Sequence, residues 1–562
     1  MDSSNLSGKC NGQGQGANYE SWTKTGLIQR LRELESELRS SSEPAKVEVK
    51  APEPRTSEEP TAKTAAKSAS GKAAKAKAKG KRKMDPSRYA SRHIALKLAY
   101  LGKNYGGFEF QAMGNLSTIE EELWNALTKA CLIFPDDEKV VQFDCCEYSK
   151  CGRTDRGVSA FGQVIGLRVR SNRPLPTKRP RRDEAEVSSV SPDPAAERLP
   201  NGDEAESEDG ERRPFDDVKD ELCYPRILNR LLPNDIRVLA WCPSPPADFS
   251  ARFSCRERQY RYFFTQPAFS PVPCPLEPPS ASGLKSGWLD IEAMRDAAKR
   301  FEGEHDFRNV CKVDPAKQII NFKRHIFESD IVEVEDVSTA LPYLQQASFG
   351  APAVGDEPHP KVYYFHVRGS AFLWHQIRHM VALLFLVGQR LESPEIVSRL
   401  LDVAENPRKP SYVMANEVPL VLWDCLFPDD ALPWVYVGEE HWPNRFGQFG
   451  LMDDLWEVWR GRKMDELLAG QLLRLVSRQG SLPGSGGGQH RPKANAATRV
   501  YEGANGGRLA GRYVPVMNKE LQQSPEDQND KYAKRKGYAD ADDMRAQRAL
   551  DRLKGEQGEL VG

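Results

Sequence analysis

Between Tyr148 and Ser171 the chain reads YSKCGRTDRGVSAFGQVIGLRVRS, and this stretch restricts the fold more than any other. Gly152 and Gly157 bracket a charged turn, Arg153-Thr154-Asp155-Arg156, and glycine reaches backbone angles that a residue with a Cβ resists. The run that follows, Val164 to Arg170, alternates and reads as a β-strand. A tight loop on a sheet edge is therefore predicted, with Asp155 at its tip. Flanked by guanidinium groups, a carboxylate stays ionised and keeps a defined orientation, as a catalytic nucleophile must. The same residues also fit a plain turn aspartate that caps its own loop and pairs with a neighbouring arginine.

The rest of the chain sets the context for that loop. Its 562 residues are enough for two or three domains. Lysines plus arginines equal aspartates plus glutamates, so the formal charge is zero, but strong local blocks lie beneath that average. Hydrophobic residues make up only 39%, which predicts substantial disordered parts. The 11 cysteines follow no disulfide-like spacing and suit a reducing compartment. No uncharged apolar run reaches membrane-spanning length, and the first residues are polar, so neither a membrane span nor a secretory signal is expected.

Residues 1–85 read as an appended tail. Leu27, Leu31, Leu34 and Leu38 mark a short amphipathic helix, too short for a stable coiled coil alone. The basic run Lys72 to Lys83 fits a nuclear address or an RNA-clinging arm, and equally a solvated linker. The address reading gives a nuclear protein, possible in the cytoplasm too. The folded region opens near residue 86, with a strand at Ile94–Tyr100 and a glycine-rich turn, Gly102 to Phe108. Thr118 and Glu121 form a capping box for the next helix. Residues 172–219 form a low-complexity acidic insertion, predicted to be a disordered loop between a first half (86–171) and a second half (220–432). In RQYRYFF, Tyr260, Tyr262 and Phe264 alternate and share one strand face; the pattern alone equally fits a half-buried aromatic strand.

Three further features carry chemistry. His305 beside Asp306 is a possible acid–base pair. His375 and His379 stand four apart in the segment Gly369 to Gly388, predicted to be helical, a possible metal pair, although Gln376 occupies the place of the glutamate that a hydrolytic zinc motif needs. Arg378 lies on an otherwise apolar helix, where an unpaired guanidinium is costly, so a carboxylate partner such as Asp155 is expected. Pro419 to Cys425 reads as a strand. Residues 433–562 read as a C-terminal extension, partly helical and partly disordered, with a glycine-rich gap at Gly480 to Gly488 and Tyr513-Val514-Pro515 as a return strand or extended tether.

Four of these segments occur in one order: Y-L-G-K-N-Y-G-G-F, C-G-R-T-D-R-G-V-S-A, A-R-F-S followed by R-Q-Y-R-Y, and F-L-W-H-Q-I-R-H-M-V. Together they closely resemble the motifs of the TruA-type tRNA pseudouridine synthases, and most of all the eukaryotic branch acting at or near tRNA positions 38 and 39. The resemblance covers about residues 92–171 and 220–426. It implies an α+β fold of two similar halves, ferredoxin- or RRM-like, whose antiparallel sheets join into one platform with flanking helices. It implies Asp155 as the catalytic aspartate, Arg378 and Arg153 as residues that hold it, and Tyr260 as a ring stacked on the target base that also assists the chemistry. Leu420 beside the base and the glycine-rich turn with Lys103 and Tyr105 complete the implied substrate contacts. For His305 and Asp306 it implies a structural role. It further implies tRNA as partner, a homodimer, and no metal or other cofactor. A catalytically inactive tRNA-binding or chaperone protein on the same fold is the alternative.

Overall fold

In the computed structural model the described residues are 84–138, 140–175, 214–270, 283–284, 287–335, 361–437, 450–477, 498–503 and 506–559. The expected helix at Leu27–Leu38, the basic run Lys72 to Lys83, most of the acidic insertion and the glycine-rich Gly480–Gly488 lie outside them.

A mostly antiparallel sheet organises what remains. Its strands are β1 (Ala90–Tyr100), β2 (Ser149–Lys150), β3 (Ser159–Ser171), β4 (Ile236–Cys242), β5 (Glu257–Gln266), β6 (Gly303–Asp306), β7 (Lys323–Glu333), β8 (Lys361–Gly369), β9 (Leu420–Leu426) and β10 (Val435–Tyr436). They run in the order β10-β4-β1-β3-β9-β5-β8-β7-β6, with β2 on β3. The first half supplies β1, β2 and β3; the second supplies β5 to β8 and also β4, which crosses over to pair with β1. They meet through β9, which pairs parallel to β3 at Ser159–Val421 and Ala160–Leu422 and antiparallel to β5. This seam decides where the site falls, because the Asp155 loop leads into β3 while Tyr260 lies on β5.

The sequence explains the strand faces. In β5, Tyr260, Tyr262 and Phe264 are buried while Arg261 and Phe263 are half-buried and Thr265 is exposed, the period-2 alternation of a sheet with one core face. On the opposite face Arg261 lies over Trp423 at 3.7 Å and over Tyr364 at 4.4 Å, a cation–π arrangement that holds a guanidinium on an aromatic surface.

Helix α1 (Ile119–Lys129) starts at the expected capping box: Thr118 Oγ1 accepts from the Glu121 N–H at 3.3 Å and the Glu121 carboxylate accepts from the Thr118 N–H. The short α2 (Tyr224–Asn229) leads to β4, and α3 (Ile291–Lys299) is capped by Asp290. Helix α4 (Gln376–Gly388) is buried on every side, as a helix apolar all round must be. It begins later than the sequence predicts. His375 sits before it with φ +58°, so the segment from Ser370 to His375 is a loop that can aim side chains at the seam. Helix α5 (Glu395–Leu401) follows.

Beyond β10 come α6 (Leu451–Ser477), the hairpin of β11 (Thr498–Val500) and β12 (Arg508–Ala510), α7 (Pro525–Arg535) and α8 (Ala541–Glu559). Much of this C-terminal region is built into the second half. Tyr501 packs on Phe385 of α4 with ring centroids 4.8 Å apart, and the buried Tyr262 hydroxyl donates to the Gly503 carbonyl at 2.8 Å. Tyr513, read from the sequence as part of a return strand or tether, is not in a strand; its hydroxyl donates to Glu392 at 2.6 Å. No helix among the described residues is long and apolar enough to cross a membrane.

Candidate active site

The Asp155 loop is held from beneath by the glycine-rich turn. Phe108 N–H donates to the Thr154 carbonyl at 3.1 Å and Gly157 N–H to the Tyr105 carbonyl at 3.3 Å. The buried Tyr100 hydroxyl meets Thr154 Oγ1 at 2.7 Å. Gln163 on β3 closes the loop's entrance, bonding both the N–H and the carbonyl of Gly152. Two glycines are required by close approach. A Cβ on Gly102 would stand 2.0 Å from the Val158 carbonyl oxygen, and Gly107, at φ +115°, lies against the Thr154 carbonyl. The turn is thus a cradle for the Asp155 loop.

That cradle accounts for Lys103 and Tyr105, which the resemblance places against substrate. Tyr105 is buried and its hydroxyl donates to Asp235 at 2.5 Å; Lys103 is exposed on the short 3-10 turn Gly102–Asn104. Neither side chain lines the cleft, whereas Gly106 and Glu109 of the same segment do.

The cleft lies over the seam and has a volume of about 1030 Å³. Asp155, Tyr260, Arg378 and Leu420 all line it, drawn from the loop before β3, from β5, from α4 and from the start of β9. Tyr260 stands edge-on to Phe372, centroids 5.2 Å apart. Burial pushes its phenol well above the ordinary range, so it keeps its proton. Nine lysine and arginine side chains line the cleft against four carboxylates, so a chain with no net charge carries a strongly cationic site.

Around Asp155 the partners differ from those expected. His375 Nε2 lies 3.3 Å from Asp155 Oδ2, and the Trp374 indole N–H hydrogen-bonds the same carboxyl. Burial, with help from Arg378, Lys312 and Lys409, pushes His375 down to about 4, so near neutrality its imidazole is uncharged. Its Nδ1 is buried without a hydrogen-bond partner among the described residues. Arg378 is buried, but its guanidinium is committed elsewhere, with Nε on the Ala415 carbonyl at 2.8 Å and Nη2 on Glu417 Oε2 at 2.7 Å. It acts on Asp155 through space, favouring the charged form. Arg153 lines the cleft and pairs with Glu109 at 3.0 Å.

The expectation of two arginines clamping Asp155 directly is therefore corrected: both guanidinium groups are held by other partners. Burial is the largest influence on Asp155 and raises its carboxyl above the usual value, while Arg378, Trp374 and Lys317 oppose that rise. A desolvated carboxylate is a stronger base and nucleophile than a solvated one.

Sequence reasoning missed Glu417, His375 as a cleft residue, and Trp374. Glu417 carried only an indirect signal: a buried arginine needs a carboxylate, and the nearest motif carboxylate was chosen instead. The two histidines face different partners. His375 faces Asp155, while His379 is buried against Tyr412 with Nδ1 on the His375 carbonyl at 2.9 Å. His305 bonds the Glu302 carbonyl at 2.7 Å, and Asp306 is taken by Arg308.

Comparisons with known proteins bear on the same region. A family model described as tRNA pseudouridine synthase matches residues 297–428. The chain is 42% identical over 359 residues to the tRNA pseudouridine(38/39) synthase of Mus musculus, covering 63% of this chain and 59% of the mouse protein. It is 38% identical over 411 residues to the protein of that name from Homo sapiens, covering 73% and 67%. To that of Saccharomyces cerevisiae it is 36% identical over 412 residues, covering 73% and 72%. The match thus spans less than two thirds of the mouse relative.

Proposed function

The chain belongs to the tRNA pseudouridine synthase family, and we propose that it isomerises uridine to pseudouridine in the anticodon stem-loop of tRNA, at positions 38 and 39. The observation that carries this reading is the convergence of Asp155, Tyr260, Arg378 and Leu420 in one cationic cleft at the seam of the two halves. The positions follow the names of the mouse, human and yeast relatives.

The reaction breaks the N1–C1′ bond and forms C5–C1′ on the same ribose; C5 gives up a proton and N1 gains one. No electrons leave the substrate, so the required groups are a carboxylate to start the exchange and a site for the released base. Asp155 is the carboxylate, with Trp374 hydrogen-bonded to it and the His375 ring 3.3 Å away. Tyr260, protonated and edge-packed on Phe372, supports the base and lies where a proton at C5 can be handled. Leu420 closes the apolar side. Arg378 holds the Ala415–Glu417 turn and biases Asp155 towards its charged form. The uridine must leave its stack, at a cost of a few kcal/mol, and the cations lining the cleft offset this through the phosphates.

Two properties of the whole protein complete the proposal. A homodimer is supported by the exposed Leu467, Leu468, Leu472 and Leu473 of α6, a cluster that solvent disfavours. Nuclear residence is supported by the basic run Lys72 to Lys83. The test of the reaction is to incubate purified protein with tRNA transcripts and map pseudouridine by carbodiimide-dependent reverse-transcription stops. Stops at positions 38 or 39, lost when those uridines are replaced, support the assignment; modification confined to another arm refutes it.

A further inference from the structure

Cys151, Cys255 and Cys425 are widely separated in sequence and follow no metal-binding spacing, yet the fold brings their sulfurs within 4.8 Å of one another. All three are buried and none is in a disulfide. Cys151 immediately precedes the Gly152 loop, Cys255 stands just before β5, and Cys425 lies in β9, paired in register with Arg258. The cluster therefore joins the three segments that meet at the seam. Asp155 follows Cys151 on the same loop, and Tyr260 follows Cys255 on β5.

We propose that these three thiols form a structural site for one thiophilic cation, with Zn²⁺ as its occupant. A zinc ion holds thiolate sulfurs at about 2.3 Å, so tetrahedral ligands stand about 3.8 Å apart, and a sulfur triangle inside 4.8 Å needs only a small contraction. Three soft ligands and no carboxylate select zinc over magnesium or calcium. Charge also favours zinc. Three thiolates around Zn²⁺ leave one negative charge, and the Arg258 guanidinium, bonded through Nη2 to the Cys151 carbonyl at 3.1 Å, supplies one positive charge beside it. Cys151 lines the cleft, so the fourth ligand position is open to water from that side. Binding releases the thiol protons; the ion ties the catalytic loop to β5 and β9 and takes no part in the isomerisation. The competing reading is that the three thiols fill the core as small apolar groups.

The test uses the full-length chain, purified under reductant, loaded with one equivalent of ZnCl₂ and dialysed. The expected results are one zinc per chain by atomic emission and an X-ray absorption spectrum dominated by sulfur near 2.3 Å. Cys425→Ser should reduce zinc to background, and Cys131→Ser, outside the cluster, should keep it. Zinc retained in Cys425→Ser overturns the proposal. If that variant does not fold, the wild-type spectrum decides alone: zinc that is not retained, or a shell of nitrogen and oxygen, overturns it.

Discussion

His375 Nε2 stands 3.3 Å from Asp155 Oδ2, and this contact ties the loop before β3 to the N-terminal end of α4. Burial and nearby cations hold the imidazole at about 4, so near neutrality it is an uncharged polar neighbour of the carboxyl. Removing that polar contact disfavours the ionised carboxylate. His375→Ala is expected to move the acidic limb of the single-turnover rate profile upward by roughly one pH unit, the scale of one polar contact with a charged group. His375→Gln, which puts an amide in the ring's place, should bring the limb back at least part of the way. A pH–rate series on both variants checks this.

Asp155 is held above its usual value chiefly by burial. A group raised in the folded state binds its proton more tightly there than in the unfolded chain, so it favours folding at low pH and opposes it as pH rises through the raised value. Asp155→Asn removes that opposition. Its melting temperature relative to wild type should therefore be more favourable at pH 8 than at pH 5, and at pH 8 not below wild type. Thermal unfolding of both proteins at the two pH values measures this.

Arg378 and Glu417 form a largely buried pair at 2.7 Å. Breaking such a pair from one side strands a charge, at a cost of about 3 kcal/mol. Arg378→Met is expected to destabilise by that order in denaturant unfolding, and Arg378→Met with Glu417→Leu to recover most of it. Activity should stay low in the double variant, because the field that favours ionised Asp155 is gone.

For Tyr260 the ring and the hydroxyl separate cleanly. Tyr260→Phe keeps the edge contact with Phe372, so tRNA affinity should stay within about twofold while turnover falls roughly 10²-fold, the scale of one proton-transfer group. Tyr260→Ala should also lose stability, by about 3 kcal/mol for an emptied aromatic site. Filter binding beside single-turnover kinetics separates the two effects.

Local chemistry in the sequence was legible where it depends on neighbours in the chain: the Thr118 capping box, the alternating face of Tyr260 to Phe264, and the loop that leads into β3. What eluded it depends on segments that meet only in the fold. Glu417 reaches Arg378 from a distant turn, and the three cysteines converge with no spacing signal. The predicted helix from Gly369 began too early because Phe372, Leu373 and Trp374 are apolar, yet there the backbone forms the loop that delivers Trp374 and His375 to the cleft. Arg153 and Arg378 flank Asp155 in motif terms, but nearer carboxylates, Glu109 and Glu417, claim their guanidinium groups.

The most direct measurement is tritium release from tRNA labelled at uridine C5, with enzyme in excess over tRNA and binding verified on the same samples. Wild-type protein should release tritium in proportion to the target uridines, and Asp155→Asn should bind the tRNA yet release none above the no-enzyme control. Release by Asp155→Asn at a rate near that of wild type would contradict the assignment of Asp155 as the group that starts the bond exchange.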